Sequence, residues 1–261
     1  MEIKTVWSVY FSATGTTEKV VTTLAKTVAQ ELGAQYQTFS FNLPKSREDE
    51  LTFGPDDLVV MGVPVYAGRV PNLLLPYVRD KVKAQGALAI PVVLYGNRNF
   101  DDGLMELKNV MRDNGFMPVA AGAFVGEHSF STILGAGRPD ADDMALVDEL
   151  AHKAAEKVKG LTEAPTQAVE VEGCDPIRPY YTPRDRYGEP IKDFLKAKPK
   201  TDPDKCVKCG LCARLCPMGS IDPNDVSNVV GKCIKCCACV KKCPKGAKYF
   251  DHEGYLYHQH E

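Results

Sequence analysis

A pattern of cysteines near the C-terminal end restricts the possible folds of this chain more than any other feature. Nine of the ten cysteines lie between residues 206 and 243. The stretches 206–217 and 233–244 both have the spacing C-x2-C-x2-C-x3-C-P, and a shift of 27 residues superimposes their four cysteines and the proline. Dense cysteines indicate a disulfide framework in a secreted protein and metal or redox chemistry in an intracellular one.

The rest of the sequence favours an intracellular, water-soluble protein. Residues 1–11 enter a strand-like run without the regions of a signal peptide, so we expect a cytoplasmic location. No run approaches the ~20 apolar residues that cross a bilayer, so no membrane is expected. A net charge of −2 and the lack of a nucleic-acid motif argue against nucleic acid as a partner.

The doubled spacing resembles that of bacterial ferredoxins with two 4Fe-4S clusters. In this pattern the first three cysteines wrap one cluster, and the fourth is carried by the following turn to the other cluster. We therefore expect two clusters. The expected ligands are Cys206, Cys209, Cys212 and Cys243 for the first cluster, and Cys233, Cys236, Cys239 and Cys216 for the second.

The alternative to iron is zinc, whose sites usually have two separated cysteine pairs and not two runs of four. The repeat also separates Cys236 from its neighbour Cys237, because Cys237 is equivalent to Gly210 and a glycine cannot be a ligand. We predict that Cys237 is a bystander thiol. Cys174 lies outside the repeat and is also predicted to have no metal.

Residues 1–160 alternate between strand and helix patterns. Strands are predicted at 3–11, 35–41, 58–63, 88–94 and 119–125, and helices at 14–32, 71–82, 102–114 and 140–158. Alternation with nearly continuous apolar strands is typical of a parallel sheet covered on both faces. The handedness of the crossovers favours a doubly wound α/β sheet, whose ligands bind at the carboxyl ends of the strands.

The first predicted strand ends in a turn rich in hydroxyl groups, residues 12–17, which opens directly into a helix. Hydroxyls and backbone N–H groups at a helix N-terminus, with Gly15 permitting close approach, form a cradle for an anion. An ordinary helix capped by Ser or Thr is the alternative. The predicted anion-binding residues are Ser12, Ala13, Thr14, Gly15, Thr16 and Thr17.

This turn resembles the phosphate loop of flavodoxins, which implies FMN and a five-stranded parallel sheet with strand order 2-1-3-4-5. The family's other two FMN loops correspond to 64–71 and 95–101. The residues implied are Pro64, Val65, Tyr66, Ala67, Gly68, Arg69, Tyr95, Gly96, Asn97, Asn99, Phe100 and Asp101. Tyr66 is the first candidate for stacking on the flavin, followed by Tyr95 or Phe100, although these aromatic residues could instead cap the sheet.

The whole chain resembles flavodoxin–ferredoxin fusion proteins (flavoferredoxins). The implied organisation is a flavodoxin-like FMN domain at 1–160, a Pro-rich packed linker at 161–200, and a bacterial-type two-cluster ferredoxin domain of α+β class at 201–261. Apolar residues in the linker predict that it packs across both domains. Lysines among the cysteines suggest a redox partner protein, which could be acidic.

The implied function is electron transfer between FMN and the clusters, with a carrier favoured over an enzyme. One alternative is a reductase of a small molecule such as a quinone or oxygen, fed by an external ferredoxin. Another is an iron–sulfur sensor with an empty flavodoxin-like domain. His128 is a candidate proton relay for a flavin because its ordinary pKa lies near neutrality, although a satisfied structural histidine is the favoured alternative.

Overall fold

The computed structural model describes residues 1–185 and 187–254. The last part of the predicted ferredoxin domain, residues 255–261, lies outside these ranges. Among the described residues no helix is long and apolar enough to cross a membrane.

Residues 1–160, here called the α/β part, contain eight strands and four α-helices. In chain order these are β1 (Thr5–Tyr10), α1 (Thr16–Leu32), β2 (Gln35–Ser40), β3 (Leu51–Phe53), β4 (Asp57–Pro64), α2 (Leu75–Lys81), β5 (Val82–Ala84), β6 (Leu88–Tyr95), α3 (Gly103–Asp113), β7 (Met117–Pro118), β8 (Gly122–Val125) and α4 (Ala141–Lys159). The strands that form the main sheet coincide closely with the buried apolar runs of the sequence.

The main sheet is parallel throughout, with the order β2-β1-β4-β6-β7 and with β8 also paired to β6. When β7 and β8 are counted as one interrupted strand, the sheet has five strands. Numbered along the chain, their spatial order across the sheet is 2-1-3-4-5. The register places Tyr10 opposite Gly62, and Gly62 opposite Val92. The loops after β1, β4 and β6 therefore leave the same edge of the sheet, where a doubly wound fold binds its ligands.

Both faces of the sheet are covered, as the apolar strands require. On β4, Leu58 and Val60 belong to a buried cluster with α1 and α4, whereas Val59 and Met61 belong to a second cluster with α2 and α3. Successive residues of a strand point to opposite faces. The prediction of a doubly wound parallel α/β sheet is confirmed.

Three local predictions were wrong. Helix α2 begins at Leu75 and not at residue 71, because Pro76 fits only the first turn of a helix. The fifth predicted strand is split into β7 and β8, with no strand pairing at 119–121. The small parallel pair β3 and β5 was not predicted, because a strand of three residues is too short to show a hydrophobic pattern.

The cysteine-rich part follows at residues 201–254. It contains β9 (Lys200–Thr201) and β10 (Lys248–Tyr249), which pair antiparallel, and the short helices α5 (Leu211–Leu215) and α6 (Ala238–Lys241). The two helices begin 27 residues apart. The duplication in the sequence therefore has a counterpart in the backbone.

The segment 161–200 contacts both parts of the chain. Toward the α/β part, Tyr181 N–H donates to Ala67 O at 2.8 Å and Tyr180 Oη donates to Val70 O at 2.9 Å. Toward the cysteine-rich part, the Leu195 carbonyl accepts a hydrogen bond from a lysine at 2.9 Å.

Packing of this segment is nevertheless incomplete. Three of the apolar residues on which the packing prediction was based are exposed, namely Tyr181, Tyr187 and Leu195, with exposed fractions of 43%, 82% and 86%. The bounds of the three domains remain predictions.

Candidate functional site

The turn between β1 and α1 presents a row of unused backbone N–H groups. Ser12 is held on both sides, since its N–H donates to Asn42 Oδ1 at 2.6 Å and its Oγ accepts from Glu18 N at 3.0 Å. In the described part of the chain, the N–H groups of residues 13–17 donate no hydrogen bond. Adjacent free N–H groups at a helix N-terminus fit a phosphate group.

Gly15 keeps this turn open. Its φ is 109°, which glycine adopts without strain, and a Cβ added there would meet no atom within 4 Å. The same turn is bounded by buried Ser12 and Thr17. The residues of this predicted phosphate loop therefore leave open space in front of Gly15.

The loop after β4 is a tight hairpin at the same edge of the sheet. Tyr66 and Arg69 exchange backbone hydrogen bonds of 2.9 and 3.2 Å, and the intervening Ala67 and Gly68 both have positive φ. A Cβ at Gly68 would lie 2.6 Å from the carboxylate of Asp101 in the loop after β6. The structure therefore brings the second and third predicted FMN loops into contact.

Both arginines of these loops have protein partners. The guanidinium of Arg69 donates to Glu106 Oε2 at 3.1 Å, also pairs with Oε1, and lies 4.4 Å from the centre of the Tyr180 ring. This raises the pKa of Arg69, chiefly through the hydrogen bond with Glu106. Arg98 pairs with Asp101. The two arginine side chains therefore bind protein groups of the loops and of the linker.

The aromatic candidates divide into two environments. The rings of Tyr95 and Phe100 pack together with centroids 5.6 Å apart. Tyr66 instead lies against the second cysteine repeat. Burial raises the pKa of Tyr66 well above its usual value, and the nearby Cys236, Cys237 and Cys233 act in the same direction.

His128 lies beside the third loop, because a Cβ at Gly96 would be 2.7 Å from the imidazole Cδ2. Its Nδ1 accepts the N–H of Phe130 at 3.2 Å, and its carbonyl accepts from Lys241 Nζ at 2.7 Å. The residue is therefore part of the contact between the two parts of the chain. Its role as a proton relay remains a prediction.

The cysteines of the first predicted set surround one hollow in the cysteine-rich part. Its lining includes Cys206, Cys209, Cys212 and Cys243, together with Cys239. Throughout the described residues, no three His, Cys, Asp or Glu side chains converge on the position of a single metal ion. Thiols spaced around a volume suit a cube of iron and sulfide better than one zinc ion, whose ligands meet at a point.

The cysteines of the second predicted set also lie together. Burial is the main cause that raises the pKa of Cys236, to about 12, and smaller contributions come from the adjacent Cys237 and then from Cys233 and Cys216. The pKa of Cys239 is raised by burial and by Cys236, Cys233 and Cys216. Three partly buried thiols and one buried thiol that influence one another need a cation before they can all ionise, which fits a cluster of iron.

The two cysteines predicted to have no metal are placed differently from these sets. Cys237 caps the N-terminus of α6 with a φ of 57°, and Gly210 caps α5 with a φ of 71°. Cys237 therefore occupies the turn position of the repeat. Cys174 is exposed, and its N–H donates to Asp102 Oδ1 at 2.9 Å.

The second cysteine repeat packs directly on the loop edge of the α/β part. Ile234, Cys236 and Ala238 belong to the same buried cluster as the core around α2 and α3, and Ala13 and Tyr66 pack against that cluster. Lys241 forms an ion pair with Glu127. The predicted stacking residue and the second set of cysteines are therefore neighbours, and the predicted phosphate loop borders the same buried cluster.

Sequence reasoning missed several residues of this arrangement. Asn42 supports the phosphate loop, Glu127 pairs with the cysteine-rich part, and Asp102 anchors the linker by accepting from Cys174 and Arg178. Each acts on a partner at least 30 residues away in the chain. The signals in the sequence are weak: Asn42 and Glu127 come just after a strand, and Asp102 directly precedes α3.

Comparison with known proteins relates the cysteine-rich part and the α/β part to different proteins. Residues 199–222, which include Cys206, Cys209, Cys212 and Cys216, match the family described as the 4Fe-4S binding domain. No curated protein matches the sequence.

Several solved structures resemble the α/β part. A flavodoxin from the domain Archaea is 17% identical, with 59% of this chain and 99% of that chain covered and a TM-score of 0.38. The two-electron reduced flavodoxin of Megasphaera elsdenii is 18% identical, with coverages of 58% and 98% and a TM-score of 0.37. Rubredoxin oxygen:oxidoreductase from Desulfovibrio gigas is 15% identical, with coverages of 60% and 37% and a TM-score of 0.42.

These TM-scores are all below 0.5, so the fold is assigned from the strand order and register of the sheet itself. That order is the flavodoxin-like one. The chain therefore combines a flavodoxin-like α/β fold with a 4Fe-4S binding domain.

Proposed function

We propose that this chain is an electron-transfer protein that holds FMN in its α/β part and two 4Fe-4S clusters in its cysteine-rich part. The observation that carries the proposal is the contact between Tyr66 and the repeat containing Cys233 and Cys236. A predicted flavin site and a predicted cluster site are packed against each other within one chain. Electron transfer between two centres requires that they lie close together, and this contact brings the two predicted sites together.

The residues have separate roles in this proposal. The free N–H groups of residues 13–17 hold the FMN phosphate, and the loops after β4 and β6 enclose the flavin ring. The two cysteine sets bind the clusters. Each cluster passes one electron whereas FMN accepts one or two, so the pair couples one- and two-electron reactions.

The contact supports a carrier over a reductase. A reductase needs an open space in which a small substrate reaches the flavin. Here the second repeat lies against Tyr66, and Lys241 pairs with Glu127 in the loop after β8. An internal electron donor therefore occupies the edge where an external substrate would enter.

Anaerobic purification followed by iron, sulfide and flavin analysis tests the cofactor content. About eight irons and one FMN per chain are expected from two clusters and one phosphate loop. Zinc in place of iron would contradict the cluster assignment. Protein that contains iron but no flavin, and that takes up none on reconstitution, would instead support the sensor.

Adjacent cysteines provide a matched pair of variants for the same analysis. Cys236→Ala should lose about four irons, because it removes a ligand of the second cluster. Cys237→Ala should keep about eight, since Cys237 occupies the turn position. Equal iron loss in the two variants would refute the assignment of ligands.

Electron transfer itself is tested by rapid mixing of the oxidised protein with a reductant that reduces the clusters first. The later absorbance change of the flavin should have a rate independent of protein concentration, because both centres lie in one chain. A rate proportional to concentration would contradict the proposal. Saturable turnover with a quinone would favour the reductase.

A further inference from the structure

The two cysteine repeats carry equivalent faces that meet different surroundings. The first-repeat face consists of Val207, Lys208, Cys209 and Arg214. A shift of 27 residues gives the second-repeat face, Ile234, Lys235, Cys236 and Lys241. Each face therefore has an apolar residue, a lysine, a cysteine and a second cation in the same places.

The second-repeat face is fully used inside the molecule. Ile234 and Cys236 have exposed fractions of 9% and 7%. Lys235 Nζ donates to Leu195 O at 2.9 Å, and Lys241 pairs with the carboxylate of Glu127. An apolar contact and a cation–carboxylate pair thus fasten this repeat to the rest of the chain.

The same groups of the first-repeat face are exposed in the described part of the chain. Val207 is 60% exposed, and Lys208, Cys209 and Arg214 are also exposed. Arg214 Nη1 donates to the carbonyl of Cys209 at 3.0 Å, a contact within the face itself. Among residues 1–185 and 187–254, neither Lys208 nor Arg214 forms an ion pair.

The surroundings of this face are strongly basic. The hollow of the first cysteine set is lined by Lys208, Lys242, Lys245 and Lys248 and by no carboxylate of the described residues. One carboxylate lies nearby, that of Asp225, which accepts the N–H and Oγ of Ser227 at 3.0 and 2.6 Å; these bonds, and to a smaller extent Lys208 and Lys248, lower its pKa, so its single charge offsets part of the four lysines. A local positive field therefore exists on a chain whose net charge is −2.

We propose that the first-repeat face is the docking surface for an acidic redox protein, in the way that the second-repeat face docks on Glu127. This rests on the proposed function, because the first cluster then lies at the contact. One electron passes between the partner's reduced centre and the oxidised first cluster, and no bond or proton changes place. The second cluster completes the path toward the α/β part.

The test uses the protein loaded with iron and flavin, and its probe is a reduced bacterial two-cluster ferredoxin of strongly negative net charge. The second-order rate of its reaction with the native protein should fall steeply as salt is added, because opposite charges steer the encounter. A rate that is unchanged or rises with salt would overturn the proposal. Iron and flavin are assayed in the same sample, so a failure of the proposed function is recognised separately.

Charge-reversal variants locate the surface. Lys208→Glu combined with Lys245→Glu should lower the low-salt rate by about tenfold or more, with the iron content unchanged. The control, Lys4→Glu with Lys153→Glu, changes the net charge equally on exposed positions of the α/β part and should retain the native rate. Equal effects of the two double variants would overturn the assignment to this face.

Sedimentation separates an acidic partner from a second copy of the chain. The native protein should remain a monomer at the concentrations used. A dimer that is abolished by the Lys208→Glu and Lys245→Glu variant would show that this face joins two copies, which would overturn the proposal.

Discussion

Replacing Asp102 with alanine should release the segment that links the α/β part to the cysteine-rich part. The carboxylate is buried, and it accepts the backbone N–H groups of Cys174 and Arg178, each at 2.9 Å. It also binds the Arg178 guanidinium through Nε and Nη2 at 2.9 and 2.7 Å. These bonds hold the pKa of Asp102 well below its usual range, so the carboxylate is charged at neutral pH.

The magnitude follows from the backbone bonds. A hydrogen bond to a charged group contributes roughly 1.5–3 kcal/mol, and water can replace part of it once the segment opens. The two N–H bonds to Asp102 therefore contribute about 3 kcal/mol, and the solvent-exposed guanidinium of Arg178 is left out of this sum. At about 1.4 kcal/mol per factor of ten, amide exchange at Cys174 and Arg178 should become about 100-fold faster.

Hydrogen exchange followed by mass spectrometry measures this directly, since it reports local opening in a chain that need not unfold in one step. The matched control is Asp113→Ala at the other end of α3, where the side chain is 65% exposed and its pair with Arg112 is screened by solvent. The control should leave the exchange of Cys174 unchanged. If the Asp102 variant exchanges no faster than the control, the carboxylate does not anchor the linker and the argument fails.

Three further substitutions test other parts of the structure. Gly15→Ala should weaken FMN binding by about tenfold in a fluorescence titration, because alanine is strained at a φ of 109°. The control is Gly33→Ala, at the other end of α1 with a φ of 66°, which should leave FMN binding unchanged. Ile234→Ala should destabilise the protein by about 2–4 kcal/mol in thermal unfolding, whereas Val207→Ala at the equivalent exposed position should change it by less than about 0.5 kcal/mol. Gly62→Ala should lower stability by about 1–3 kcal/mol, because its Cβ would lie 2.2 Å from a valine methyl of α1; an unchanged melting temperature would show that β4 and α1 can separate.

The main sheet could be predicted because each buried parallel strand appears as a continuous apolar run. Leu58 to Val63 illustrates this, since every residue from Leu58 to Val63 is buried. The start of α2 could have been predicted from Pro76, whose missing N–H confines it to a first turn. The break between β7 and β8 has no such signal, because the run from Val119 onward is equally apolar across the gap.

The cysteine sets were predicted for a different reason. A duplication fixes which residues are equivalent, so Cys237 was predicted to bind no metal because it is equivalent to Gly210, and both residues have positive φ. The contact of Tyr66 with the second repeat joins residues that are about 170 positions apart. Such a contact depends on how the two parts pack, and local pattern carries no information about it.

The packing of the second repeat over the loops has a consequence for maturation. The space in front of Gly15 is open, whereas Tyr66 lies against Cys233 and Cys236, so a flavin ring can settle on Tyr66 freely only while the second repeat is still away from that edge. We therefore expect the chain to acquire its cofactors in a preferred order during biosynthesis. The α/β part leaves the ribosome first and takes up its nucleotide. The cysteine-rich part, which is synthesised last, then packs against the flavin.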